Sequence, residues 1–246
     1  LDGENIRPLV FNVGNFTRPT ETTPALLTLD EVETLFHEFG HALHGMLSNV
    51  NYAGLSGTSV SRDFVELPSQ IMEHWAIHPE VLKLYATHYQ TGEVIPNELI
   101  AKIDAASKFN MGFTTTEFVA AALLDMDYHT QREKKELDVR EFEKQSMAKI
   151  GLINEIIPRY RSTYYSHIFS GGYSAGYYAY LWAEVLDADA FQAFAEKGIF
   201  DKETAQLFRD NVLSKGNTDD PMTLYKKFRG AEPNPVYLLR NRGFIE

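Results

Sequence analysis

The sequence predicts a mainly α-helical fold, and two observations predict it. Apolar residues recur at three- and four-residue intervals through most of the 246 positions, the period that gathers them on one face of a helix. Only one short apolar stretch, Leu9–Val13 between Pro8 and Gly14, reads as a strand. A single strand cannot build a sheet, so at most a small β element near the N-terminus is expected.

Taken in order, Thr17–Pro24 is turn-like because it holds two prolines. A first helix starts near Thr28, where Thr28 and Glu31 have capping-box spacing and Asp30 adds an acid to the first turn. Val32, Leu35, Phe36, Phe39, Leu43 and Leu47 mark its apolar face to about Ser48. Asn51–Ser61 (NYAGLSGTSVS) is loop chemistry. A second helix is expected from Arg62 to Ile77, ending before Pro79. Helical patterns then cover 79–90, 97–109, 114–132 and 137–150. The charge-mixed run Arg132–Gln145 reads as a solvated helix face, not a binding patch. Pro158–Gly176 is irregular and glycine-rich near its end. Helices resume over Tyr177–Glu196, Asp201–Lys215 and Pro221–Arg229, with a short last one at 235–240.

The formal net charge is −11, which argues against nucleic acid or an anionic membrane as partner. With no cysteine, disulfides and thiolate metal sites are excluded; this fits the cytoplasm and leaves the periplasm open. The longest apolar run, Phe118–Leu124, falls far short of the ~18 residues of a membrane span. The chain begins at Leu1 without a secretory signal, and LDGENIRPLVFNVGNF reads like the middle of a domain. A fragment or processed form is expected.

The chemistry concentrates in LFHEFGHALHG, Leu35 to Gly45. His37 and His41 are four apart, so a helix puts both imidazoles on one side, where they can share a metal ion. Glu38 between them fits the general base of an H-E-x-x-H peptidase. Gly40 within the motif is costly in a helix and implies a packing need. For the third ligand, His44 is disfavoured, because three histidines within one straight helical stretch do not easily face one ion. The metzincin pattern fails too, since it needs glycine at 44 and histidine at 47, where this chain has His44 and Leu47. Glu66, early on the second predicted helix, is the better candidate; Asp63 is its rival but sits where an N-cap is expected. Two histidines, one carboxylate and no sulfur indicate one zinc ion. Glu73, two turns beyond Glu66, is placed either to orient a ligand histidine or to be a surface carboxylate.

Three stretches, TLFHEFGHALHG, SGTSVSRDFVELPSQIMEHW and HIFSGGYSAGYYAYLW, resemble the thimet oligopeptidase and neurolysin family of zinc metallopeptidases, most closely its bacterial peptidyl-dipeptidase (dipeptidyl carboxypeptidase) branch. The resemblance implies a mostly α, zincin-like fold in which residues 1–246 form one C-terminal catalytic domain and a large helical N-terminal part of the same protein is absent. It implies hydrolysis of short peptides, with dipeptides released from the C-terminus. It assigns His167 and Tyr180 as transition-state donors, and Tyr173, Tyr177, Gly171 and Gly172 to substrate binding in a loop able to close. On spacing alone, the tyrosines share a face and would equally pack a core. Arg159 and Arg161 are candidates for the substrate carboxylate, and Leu9–Val13 for pairing with substrate backbone. Two alternatives are an endo-oligopeptidase of the same family and a zinc-binding fragment without catalysis.

Overall fold

The computed structural model describes residues 3–246, and helices dominate it. In chain order they are α1 (Leu29–Leu47), α2 (Leu67–Ile77), α3 (Pro79–Tyr85), α4 (Asn97–Ser107), α5 (Met111–His129), α6 (Val139–Lys149), α7 (Ser166–Phe169), α8 (Ala179–Lys197), α9 (Lys202–Phe208), α10 (Pro221–Arg229) and α11 (Val236–Asn241). None is long and apolar enough to cross a membrane.

Four expectations need correction. Leu9–Val13 is not a strand. Leu9, Phe11 and Val13 are all at least 80% exposed, and without a neighbouring backbone no ladder forms. Among the described residues, β pairing is confined to one antiparallel bridge, Thr87 with Val94. That bridge explains the second correction, because the chain turns back after α3 instead of continuing helically to residue 90. Third, α2 begins at Leu67, not Arg62. Pro68 has no N–H for the carbonyl of residue 64 and its ring clashes there, so a helix cannot run through 64–68. Fourth, α7 interrupts the segment expected to be irregular.

The chain divides into two compact units. One comprises the residues up to Ala106 together with Ala183–Glu246. Its core joins Phe64, Leu67 and Ile71 to Leu186, Phe194, Phe208, Val212, Tyr225 and Phe228. His74 on α2 meets Asp187 on α8 at 2.7 Å while Phe191 stacks on its ring at 4.6 Å. The Arg7 guanidinium donates to Ser48 O at 2.9 Å and also to Met46 O, occupying carbonyls at the C-terminus of α1. The other unit, Ser107–Trp182, centres on Phe118, Ala121, Ala122, Tyr165, Ile168 and Tyr177, with Ala120, Leu124 and Met147 beside them. Its buried Glu143 accepts from the Ser162 N–H and hydroxyl, both at 2.8 Å, and from Arg161.

Candidate functional site

The geometry of the candidate site starts at the N-terminus of α1. Thr28 Oγ1 accepts from Glu31 N–H at 3.2 Å, and Glu31 accepts from Thr28 N–H at 2.8 Å, completing the capping box the sequence predicts. The helix then approaches α2 backbone to backbone at Gly40. A Cβ there would lie 2.2 Å from Pro68 O and 2.6 Å from Ser69 Cα, so no other residue fits without moving a helix. The small-residue face is therefore the packed one, with Gly40 and Ala42 buried, and Leu35 and Phe39 of the expected apolar stripe remain exposed.

This approach brings Glu66, at the N-cap of α2, against the two histidines. Glu66 Oε2 lies 3.4 Å from His37 Nε2 and 3.2 Å from His41 Nε2. Glu66 is 3% exposed, and a buried carboxylate demands compensation. Part comes from Ser69, whose hydroxyl donates to Oε2 at 3.0 Å. His37 Nδ1 donates to Glu73 Oε1 at 2.6 Å, which fixes the ring with Nε2 toward Glu66. Burial opposes charging His37, but hydrogen bonds and charge from Glu66 and Glu73 outweigh it and push its pKa to about 10. The carboxylates thus call for a positive charge at this point, which a proton or a divalent cation can supply. Burial, then the Glu73 charge, also lifts Glu33 to about 7. One nitrogen from each of two imidazoles and one carboxylate oxygen lie within 4.8 Å of one another, a donor set that suits zinc.

The neighbouring candidates separate clearly. Glu38 is half-buried and takes no hydrogen bond or ion pair from any described residue, so its carboxylate stays available for a proton. His44 is fully buried, and neither ring nitrogen has a partner among the described residues. Burial above all lowers it to about 4, so it is neutral. Neither His44 nor Asp63 belongs to the converging set.

In the second unit, His167 on α7 sits among tyrosine rings. Its centroid is 4.7 Å from Tyr160, 5.7 Å from Tyr177, 6.2 Å from Tyr173 and 6.4 Å from Tyr180. Tyr173 stacks on Tyr180 at 4.9 Å, and Tyr177 on Phe118 at 4.9 Å. Tyr177 is therefore a core residue, with Tyr173 and Tyr180 packed against that core. Burial, then the charge of Arg159, lowers the His167 pKa. Its buried Nδ1 has no partner. An unpaired lone pair is better tolerated than an unpaired N–H, so we assign the proton to Nε2. Arg161 is committed to Glu143, which removes it from the carboxylate-binding candidates. Arg159 remains, its side chain exposed. At Gly171 a Cβ would lie 2.9 Å from His167 Cα, and Gly172 has φ +81°, so both glycines serve a tight fold-back onto α7.

Sequence reasoning missed Asp125, whose carboxylate accepts from the N–H groups of Ala175 and Tyr177. Its one signal was an acid directly after the apolar run Phe118–Leu124.

Comparison with known proteins supplies the remaining findings. The Peptidase family M3 profile matches residues 2–244. The chain is 50% identical over 239 residues to dipeptidyl carboxypeptidase of Salmonella typhimurium and 48% identical over 238 residues to that of Escherichia coli. It is 45% identical over 249 residues to oligopeptidase A of Escherichia coli. These matches cover 96%, 96% and 98% of this chain but 35%, 35% and 36% of the relatives, so the chain spans about a third of their length.

Proposed function

The chain belongs to Peptidase family M3, and we propose that it hydrolyses short peptides at a zinc centre formed by His37, His41 and Glu66, as the catalytic part of a longer protein. The observation that carries this is the convergence of two Nε2 atoms on one buried carboxylate oxygen, with His37 already oriented by Glu73. The length of the relatives supports a longer protein. So do the apolar Leu9, Phe11 and Val13 side chains, which lie open to solvent.

Bound zinc would supply a Lewis acid that polarises the scissile carbonyl and acidifies water. Glu38 takes the proton from the attacking water and delivers it to the leaving amine. Glu73 holds the His37 ring in the tautomer that leaves Nε2 unprotonated. His167 Nε2–H and the Tyr180 hydroxyl are, by the family resemblance, the donors for charge that develops on a carbonyl oxygen. The neutrality of His167 supports this role, since a neutral imidazole carries the proton on one nitrogen only. Tyr173 contacts the substrate and the buried Tyr177 supports it from the core, with Gly171 and Gly172 shaping the loop that carries them.

The finer reading is release of dipeptides from the substrate's free C-terminus, with Arg159 as the cation for that carboxylate. Two of the relatives carry the name dipeptidyl carboxypeptidase, which favours it. The name oligopeptidase A on a third supports endopeptidase action as the second reading. Mass spectrometry of the products from one peptide, with a free or an amidated C-terminus, decides. Dipeptide release that collapses on amidation supports the first reading, and equal cleavage of both forms sinks it.

A further inference from the structure

We infer that Asp125 is a positioning residue that clamps the loop Gly171–Tyr177 and so sets the register of Tyr173, Tyr177 and Tyr180. The inference rests on the assignment of these tyrosines and His167 to substrate and oxyanion.

Asp125 lies on α5 and is 0% exposed. Its two oxygens divide the work. Oδ1 accepts from Ala175 N–H at 2.9 Å and faces His129 Nδ1 at 2.8 Å; Oδ2 accepts from Tyr177 N–H at 2.9 Å. The carboxylate takes two backbone N–H groups, while the adjacent His129 Nδ1 donates to the Asp125 backbone O at 3.0 Å; the oxygens are thus paired without water, which is what burial requires of them. These bonds are charge-assisted and hence stronger than neutral ones.

The loop needs such a hold. Ala175 has φ +52°, the left-handed region that a residue with a Cβ rarely adopts. The first half of the loop is already pinned to α7. Gly171 N–H donates to Ser166 O at 2.7 Å, Tyr173 N–H to His167 O at 2.9 Å, and the Ser174 hydroxyl to Ile168 O at 2.5 Å. In the second half, the backbone N–H groups of Ala175 and Tyr177 go to Asp125 and not to α7. Its two backbone bonds flank Gly176, immediately before the turn that leads into α8. Tyr177 is thereby fixed with its ring on Phe118, and Tyr180 follows one helical turn later beside Tyr173. Unclamped, Ala175 would relax out of the left-handed region and carry Tyr177 and Tyr180 with it. A placement error on the order of 1 Å at a reacting group costs about 10²-fold in rate.

Asp125→Asn removes the charge and replaces one acceptor by a donor that opposes a backbone N–H. In the full-length, zinc-loaded protein, three readouts test it: amide exchange over residues 171–178, bound metal, and kcat and KM on a short peptide. The expected result is exchange accelerated at least about tenfold in that segment, full metal content, and kcat lowered about 10²-fold with a smaller change in KM. Adding Ala175→Gly, which makes the left-handed conformation easy, should recover about tenfold of the lost kcat. A purely structural role for Asp125 gives no such recovery. The inference is overturned if kcat stays within about twofold of wild type, if metal is lost in proportion to activity, or if Ala175→Gly restores nothing. Should Asp125→Asn not fold, His129→Ala stands in, because it removes the ring beside the carboxylate and leaves both backbone bonds in place. An expected loss of about tenfold in kcat follows from a less firmly held carboxylate, and unchanged exchange and kcat there overturn the inference. Tyr180→Phe in parallel separates the two levels. Full activity of Tyr180→Phe removes the oxyanion reading and the reason for the clamp with it. An inactive Tyr180→Phe beside a fully active Asp125→Asn removes the clamp alone.

Discussion

His37 and His167 each stand at the centre of a cluster, and their surroundings push them in opposite directions. Around His37 two carboxylates overcome burial and raise the pKa to about 10. Around His167 there are tyrosine rings and the charge of Arg159, and the pKa falls. The first environment is built to hold positive charge, the second to keep a neutral donor. They are also assembled differently. The first depends on two helix backbones meeting at one glycine, Gly40. The second depends on a folded-back loop and stacked rings. On the proposed reading, the first environment serves a cation and the second the charge that appears only in a transition state.

Substitutions can break this contrast, and the largest effect is expected at Glu38. Glu38→Gln should lower kcat by about 10² to 10⁴-fold while stoichiometric metal stays bound, as read by atomic emission beside a peptide assay. Metal lost with activity would make Glu38 a ligand instead of a base. Tyr180→Phe should follow, with about 10² to 10³-fold lost from kcat, unchanged metal, and little change in KM. A loss confined to KM would turn Tyr180 into a substrate contact and leave His167 as the sole donor.

A smaller effect, on stability, is expected at His44. Its folded pKa of about 4 lies below the ordinary 6.5, so the unfolded chain binds the proton more readily. Stability is therefore intact above about pH 6.5 and declines as pH falls toward 4. Between pH 7 and pH 5 this one group should cost about 2 kcal/mol. Urea unfolding of wild type against His44→Leu measures it: the variant should lose that much less over the same interval. Equal losses would mean that His44 has a proton partner in solution.

The convergence of His37 and His41 was legible because its signals are local. His37 and His41 need only helical spacing, Thr28 and Glu31 only a capping pattern, and Gly40 only its cost within a helix. Glu66 is legible as a residue but not as a helix N-cap, since the helix start there depends on Pro68 ending the turn before it. Leu9–Val13 has strand composition, yet pairing depends on a neighbour that composition does not reveal. His167 and the tyrosines were named only through resemblance, because their spacing suits a core equally well, and Tyr177 is indeed in one. Asp125 went unseen because its partners are backbone N–H groups some fifty residues away, a contact that leaves no periodic trace.

The central claim is that His37, His41 and Glu66 form one metal centre. Metal content of the full-length protein after equilibration with zinc and removal of excess, wild type against Glu66→Ala, tests it most directly. The account predicts one zinc per chain in the wild type and none retained in the variant, with the variant still folded by circular dichroism. A folded Glu66→Ala protein that keeps one zinc would contradict it.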